Sequence, residues 1–225
     1  LVADESKKFR LISEALHNRL RQCDQILSQR IEQQGGFKVL GLGQCRSRGV
    51  RKGEITDPQK ASEDIRQAIA EAEQMADVEI RSVFLGVTGA HVRGFNNRGI
   101  HPVVSADREI TQEDVDDAIR NAKAVNLPHD HSVLHTIRQD FVVDDHDGVQ
   151  NPVRLFGARV EARVHVIHGQ GNRLQNSIRA VQSLQLSVEQ AVFTGFASAL
   201  AVLGKEDKEM GALVIDFGAG VTEYA

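Results

Sequence analysis

The 225-residue sequence has no tryptophan and a single tyrosine, so it offers little of the flat aromatic surface on which nucleic-acid bases stack. Its formal net charge of −4 gives no general attraction to a polyanion. Nucleic-acid binding is disfavoured on both counts. Cysteine is scarce: Cys23 and Cys45 stand in unrelated contexts without C-x-x-C spacing. That argues against a disulfide framework or a zinc site and fits reduced thiols in a bacterial-type cytoplasm. No run approaches the ~20 apolar residues that span a bilayer, and no charged-then-apolar leader is present. Leu1 is not a methionine, and the last residues fall inside a strand pattern with no stop signal. The sequence is therefore expected to be part of a longer protein.

What is present suffices for a core, since 41% of the residues are hydrophobic and the length suits one large domain or two small ones. From Lys7 to Gln34, Phe9, Ile12, Leu16, Leu20, Cys23, Leu27 and Ile31 recur at three- and four-residue steps. This predicts an amphipathic helix, filling residues 1–36, that either pairs as a short coiled coil or lies on the domain body. Phe37 to Gly43 reads as a strand and the Arg- and Gly-rich stretch to Ile55 as a connection. Its cluster of Arg46, Arg48, Arg51 and Lys52 is balanced by Glu63, Asp64, Glu71 and Glu73 of the next helix, as on a solvated loop. Asp57-Pro58 starts that helix, with a capping carboxylate and a proline in the first turn. Ile80 to Val87 is an almost continuous apolar run, the pattern of a strand covered on both faces.

The style then changes. Arg98 to Val104 reads as a strand, and Thr111 with Asp114 forms a capping box before a helix. Ser132 to Val143 is extended, and Ala158 to Val166 alternates strictly, with Arg159, Glu161, Arg163 and His165 on a wet face. This predicts an inserted α+β unit over residues 89–168. A helix through Leu174 and Val181, a strand near Val188–Phe193 and a small-residue helix at Phe196–Leu203 resume the α/β layer.

The last fifteen residues carry the chemistry. An apolar strand, Ala212 to Ile215, would hold Asp216 at its end. Gly218 and Gly220 would let backbone N–H groups approach a polyphosphate without a Cβ in the way, with the Thr222 hydroxyl as a further donor. An ordinary β-hairpin fits the same residues. Elsewhere, His129, His131, His135 and Asp130 are expected to be surface residues rather than a metal cluster.

Several motifs in order resemble the FtsA family of bacterial cell division proteins, within the actin-like ATPase superfamily. They are Ser47–Ile55, Gly86–His91, Arg108–Val115, Ala124–Pro128, Gly157–His165, Leu174–Asn176, Ala197–Leu203 and the Asp216 hairpin. The resemblance runs from about Phe37 to Ala225. It implies a partial actin-like (ribonuclease H-like) α/β fold with an inserted α+β SHS2-type subdomain, 1C. Residues 37–88 and 169–205 would be parts of subdomain 1A, 89–168 would be 1C, and 206–225 the start of subdomain 2A.

The function implied is that of an adaptor, at most a weak ATPase. It would bind ATP, polymerise on the inner face of the cell membrane at the division site, and link FtsZ filaments to other division proteins. The 1C unit would mediate contacts with those proteins and self-association. Asp216, Gly218, Ala219, Gly220, Val221 and Thr222 correspond to the family's second phosphate loop, where the aspartate helps hold magnesium through water.

Departures from the family pattern are Ala219 for a common third glycine, Val221 for a common threonine, and Thr194-Gly195 in place of a glutamate-proline pair whose carboxylate could position water. The first phosphate loop is not recognisable before Phe37. The family's adenine-binding lobe, FtsZ-contacting region and C-terminal membrane helix are not in these 225 residues. An actin-like-fold sugar kinase and a relative from type IV pilus assembly are the alternative readings.

Overall fold

The computed structural model describes residues 2–4, 23–31, 37–105, 107–218 and 220–225, with backbone alone for residues 2–4, 23–31, 37 and 38. The elements in chain order are β1 (Val2–Asp4), β2 (Cys23–Ile31), β3 (Phe37–Arg46), β4 (Val50–Arg51), β5 (Glu54–Ile55), α1 (Pro58–Ala76) and β6 (Ser82–Val87). There follow β7 (Arg93–Pro102), α2 (Gln112–Lys123), β8 (His131–Val143), β9 (His146–Val149) and β10 (Arg159–Gln170). The chain closes with α3 (Gly171–Gln182), β11 (Ser187–Phe193), α4 (Thr194–Val202), α5 (Lys205–Met210), β12 (Ile215–Phe217) and β13 (Thr222–Tyr224). Two compact units result, Leu1–His91 with Gly171–Ala225, and Val92–Gln170.

The first unit is built on a five-stranded sheet in the order β11-β6-β1-β2-β3. β6 and β11 are parallel, β1 runs against β6, and β2 runs against β3. The N-terminal helix expected from periodicity is corrected here, because Cys23–Ile31 is a strand paired with β3 from Cys23↔Arg46 to Ile31↔Phe37. The cause lies in the spacing itself: Cys23, Leu27 and Ile31 are four apart, a step that suits one face of a helix and one face of a strand equally. The edge of β3 then decides, as tertiary pairing overrides a weak local preference. Residues 7–22 and 32–34 of that expected helix lie outside the described residues.

α1 starts as its sequence requires. Asp57 accepts a hydrogen bond from the Lys60 N–H at 3.1 Å, Pro58 opens the first turn, and the helix stops at Asp77, whose φ of 55° is left-handed. Its buried face is mostly alanine: Ala61, Ala68 and Ala72 are wholly buried beside Ile65 and Ile69. Small residues let the helix lie directly on the backbone of β3. A methyl group at Gly43 would stand 1.7 Å from the Ala68 carbonyl oxygen, and one at Gly41 would stand 2.5 Å from that of Ala72.

The second unit is an antiparallel sheet in the order β7-β10-β8-β9. The inward residues of β10, Val160, Ala162, Val164 and Val166, join Phe141, Ile110 and the α2 residues Val115, Ala118 and Ala122 in one core. Of the four residues expected on a wet face, Arg159 is exposed, Arg163 and His165 are half-buried, and Glu161 is buried, so the alternation holds while the outer face is largely covered. Thr111 and Asp114 complete the capping box of α2.

Candidate functional site

β12 and β13 form a hairpin of their own, with Ile215↔Tyr224, Asp216↔Glu223 and Phe217↔Thr222 as partners. The strand is Ile215–Phe217, not Ala212–Ile215, so Asp216 stands in its middle rather than at its end. Ala212 and Leu213 are exposed and lie outside the strand. Gly218, Gly220 and Val221 lie in the connecting turn, closed by the Gly218 N–H donating to the Val221 carbonyl at 2.9 Å. Ala219 lies outside the described residues.

Cross-strand partners share a face, so Asp216 and Glu223 project to one side while Phe217 and Thr222 lie on the other. The two carboxylates meet α4. Ser198 Oγ donates to Asp216 Oδ2 at 3.0 Å, and Thr194 Oγ1 donates to Glu223 Oε2 at 2.5 Å. Thr194 and Ser198 are four residues apart, hence on one side of the helix. Gly195 keeps the approach open, since a methyl there would lie 3.3 Å from Glu223 Cβ and 2.8 Å from the Phe193 ring. Thr222, expected to join Asp216 at a phosphate, is therefore beside Phe217 and exposed.

The turn meets a second hairpin. β4 and β5 are joined by Lys52 and Gly53, whose φ values of 51° and 76° are the positive pair of a two-residue type I′ turn. A methyl at Gly53 would fall 2.7 Å from Thr88 Cγ2, and one at Gly220 would fall 3.4 Å from Lys52 Cα. Glu54 forms an ion pair with Arg173 of α3. The loop leading into this hairpin is held from beneath. Asp64, wholly buried, accepts from the backbone N–H groups of Arg48 at 2.7 Å and Gly49 at 3.3 Å and from Arg48 Nε at 2.8 Å. Burial alone would push the Asp64 carboxyl up, but these N–H groups and the Arg48 guanidinium outweigh it and hold the carboxyl below its usual range. The basic cluster is thus only partly a solvated loop: Arg48 is committed to Asp64, while Arg51 and Lys52 are exposed.

The histidines go elsewhere. His131 Nδ1 lies 2.7 Å from His168 Nδ1, with the Phe95 ring edge-on to His168. Burial first, then the neighbouring His131 and Arg93, pushes the His168 imidazole down, and burial does the same to His135. Among the described residues, no three His, Cys, Asp or Glu side chains gather in a metal-binding group.

Residues 89–168 match the family described as "SHS2 domain inserted in FTSA". The chain is 38% identical over 191 residues to the cell division protein FtsA of Escherichia coli K12, covering 85% of this chain and 45% of that protein. It is 39% identical over 189 residues to FtsA of Neisseria meningitidis serogroup B, covering 84% and 45%. The chain is FtsA-like. It spans less than half the length of these curated relatives. Among solved structures it is similar to a chain of the "PilM-PilN type IV pilus biogenesis complex", with a TM-score of 0.59 and 15% identity over 90% of this chain and 54% of that one. That likeness concerns the fold alone. The FtsA-like chain has a partial actin-like α/β fold with an SHS2 insertion.

Two residues of this candidate site escaped the sequence, Glu223 and Ser198, while Thr194 stood out only as a departure from the family pattern. A signal existed. Glu223 is seven residues beyond Asp216, the separation that a hairpin with a four-residue connection sets directly opposite. The Thr194/Ser198 spacing marks one helix face.

Proposed function

We propose that this FtsA-like chain belongs to a cell division adaptor that works at the cytoplasmic face of the membrane. In this reading the parent protein polymerises at the division site and ties FtsZ filaments to other division proteins. One observation carries it: an SHS2 domain matched over residues 89–168 lies within a chain 38% identical to FtsA over 191 residues. The compact unit Val92–Gln170 is then the 1C contact module, and the remaining residues belong to subdomains 1A and 2A.

ATP and magnesium are part of the proposal, and the donor chemistry suits them. Asp216 and Glu223 offer carboxylate oxygens beside the hydroxyls of Ser198 and Thr194, the hard donor type that magnesium takes together with phosphate oxygens. Gly218 and Gly220 keep side chains away from the turn. Asp216 would hold magnesium through water, and Ser198 would fix which way its carboxylate faces. Bound MgATP would supply the nucleotide dependence of assembly. Thr194, engaged with Glu223, carries no carboxylate to position water, which agrees with an adaptor that hydrolyses ATP weakly if at all.

The test is excision of Val92–Gln170, joining His91 to Gly171 by a short linker, with circular dichroism to verify folding. Self-association and recovery of division proteins from a lysate should drop sharply. Unchanged values for both would place the contacts outside this unit and sink the adaptor role assigned to it.

A further inference from the structure

The turn between β4 and β5 presents a cation where the proposed phosphate site has need of one. The Gly218 N–H is already given to the Val221 carbonyl, Gly220 brings no charge, Val221 brings no hydroxyl, and Asp216 and Glu223 add negative charge nearby. A polyphosphate there requires compensation beyond a single magnesium ion. The tip of the β4–β5 turn abuts the glycine turn. The Cβ that Gly220 lacks would lie 3.4 Å from Lys52 Cα and 3.7 Å from Lys52 Cγ. The root of the lysine side chain is thus packed on the loop, and its four-carbon stem is long enough to bring the ammonium over the same turn.

The tip is held in place from three sides. Gly53 is seated on Thr88, Glu54 is paired with Arg173, and the backbone at Arg48 and Gly49 is bound to buried Asp64. Three other cations of this unit are committed: Arg48 to Asp64, Lys60 to Asp57, Arg173 to Glu54. Lys52 is exposed and, among the described residues, has no carboxylate within ion-pair distance.

We propose that Lys52 is a phosphate-binding residue of this chain, its ammonium contacting the polyphosphate held over the Gly218–Gly220 turn. The assignment rests on the reading of the Asp216 hairpin as an ATP site.

Titration of the chain with MgATP in a calorimeter tests it, with variants whose thermal melts match the parent. Lys52→Gln should weaken binding about tenfold, the loss expected for one charge-assisted hydrogen bond. Lys52→Glu should weaken it further, Lys52→Arg should retain most of it, and Arg51→Gln, one residue away and also exposed, should leave it unchanged. Inorganic tripolyphosphate should compete with MgATP for the parent chain and lose that ability in Lys52→Gln. Binding by the parent should fall more steeply with added salt than binding by Lys52→Gln. Equal affinities for parent and Lys52→Gln overturn the role of Lys52 while leaving the nucleotide site standing. An equal loss in Arg51→Gln overturns it too, as a general charge effect. No MgATP binding by the parent chain overturns both readings.

Discussion

Replacing Asp64 with alanine separates the two ways in which the loop below Lys52 could be held, by buried hydrogen bonds or by surface charge. The carboxylate is wholly buried and receives two backbone N–H groups, from Arg48 and Gly49, besides the Arg48 side chain. Water has little room to replace it, because α1 lies so close that a methyl on Gly49 would be 2.1 Å from the Ala61 nitrogen. A buried N–H without an acceptor costs roughly 1–3 kcal/mol, so Asp64→Ala should destabilise the first unit by about 3 kcal/mol. Asp64→Asn keeps an acceptor oxygen and should lose about half of that. Arg48→Met should lose less than either, because the guanidinium end is half exposed and solvent screens its charge.

Urea unfolding followed by circular dichroism at constant slope measures all three. The pH dependence adds a check on sign. Asp64 titrates below its ordinary 3.8 when folded, so its contribution is present above that value and is lost as pH falls through the lower folded value. The gap between parent and Asp64→Ala should therefore narrow in acid. A deficit under about 1 kcal/mol, the size of an exposed ion pair, or a larger one for Arg48→Met, refutes the reasoning.

Gly43→Ala drives a methyl into the Ala68 carbonyl, 1.7 Å away, so α1 must lift off β3 at a cost of about 2–3 kcal/mol. A thermal midpoint equal to the parent's contradicts that contact. In the second unit, His168 and His135 are held below 6.5 when folded, so the unfolded chain binds protons first. Stability should be full above about pH 6.5 and fall as the pH drops towards their folded values, while Asp114, held below 3.8, acts only in stronger acid. Melting curves between pH 5.5 and 7.5 should slope accordingly and flatten in His168→Leu, and a flat parent curve contradicts the burial of these rings.

Elements with redundant signals were legible in the sequence. α1 combined a cap, a proline and an apolar stripe, and β10 alternated over nine residues, so period and boundary agreed. β2 was not legible, because a four-residue repeat satisfies both periods and only the neighbouring strand chooses between them. The hairpin was legible as a hairpin, but apolar Leu213 and Ile215 suggested burial that the structure does not provide. Asp64 was misjudged for the opposite reason: a carboxylate among charged neighbours reads as surface, and the N–H groups that justify its burial belong to a loop sixteen residues earlier. Lys52 stood in the sequence as one of four basic residues, and only the folded turn separates it from the rest.

The entry and exit strands of the SHS2 unit are hydrogen-bonded neighbours, with Arg93 opposite His168. For the surrounding unit, a folded insertion is therefore no longer than a tight turn, whereas an unfolded one is a slack loop of about 80 residues. Closing that loop costs about 2–3 kcal/mol more, by the logarithmic dependence on length. Folding of the insertion thus strengthens its host through chain connectivity alone, and a mutation that melts the insertion carries a penalty into the sheet on either side of the insertion point.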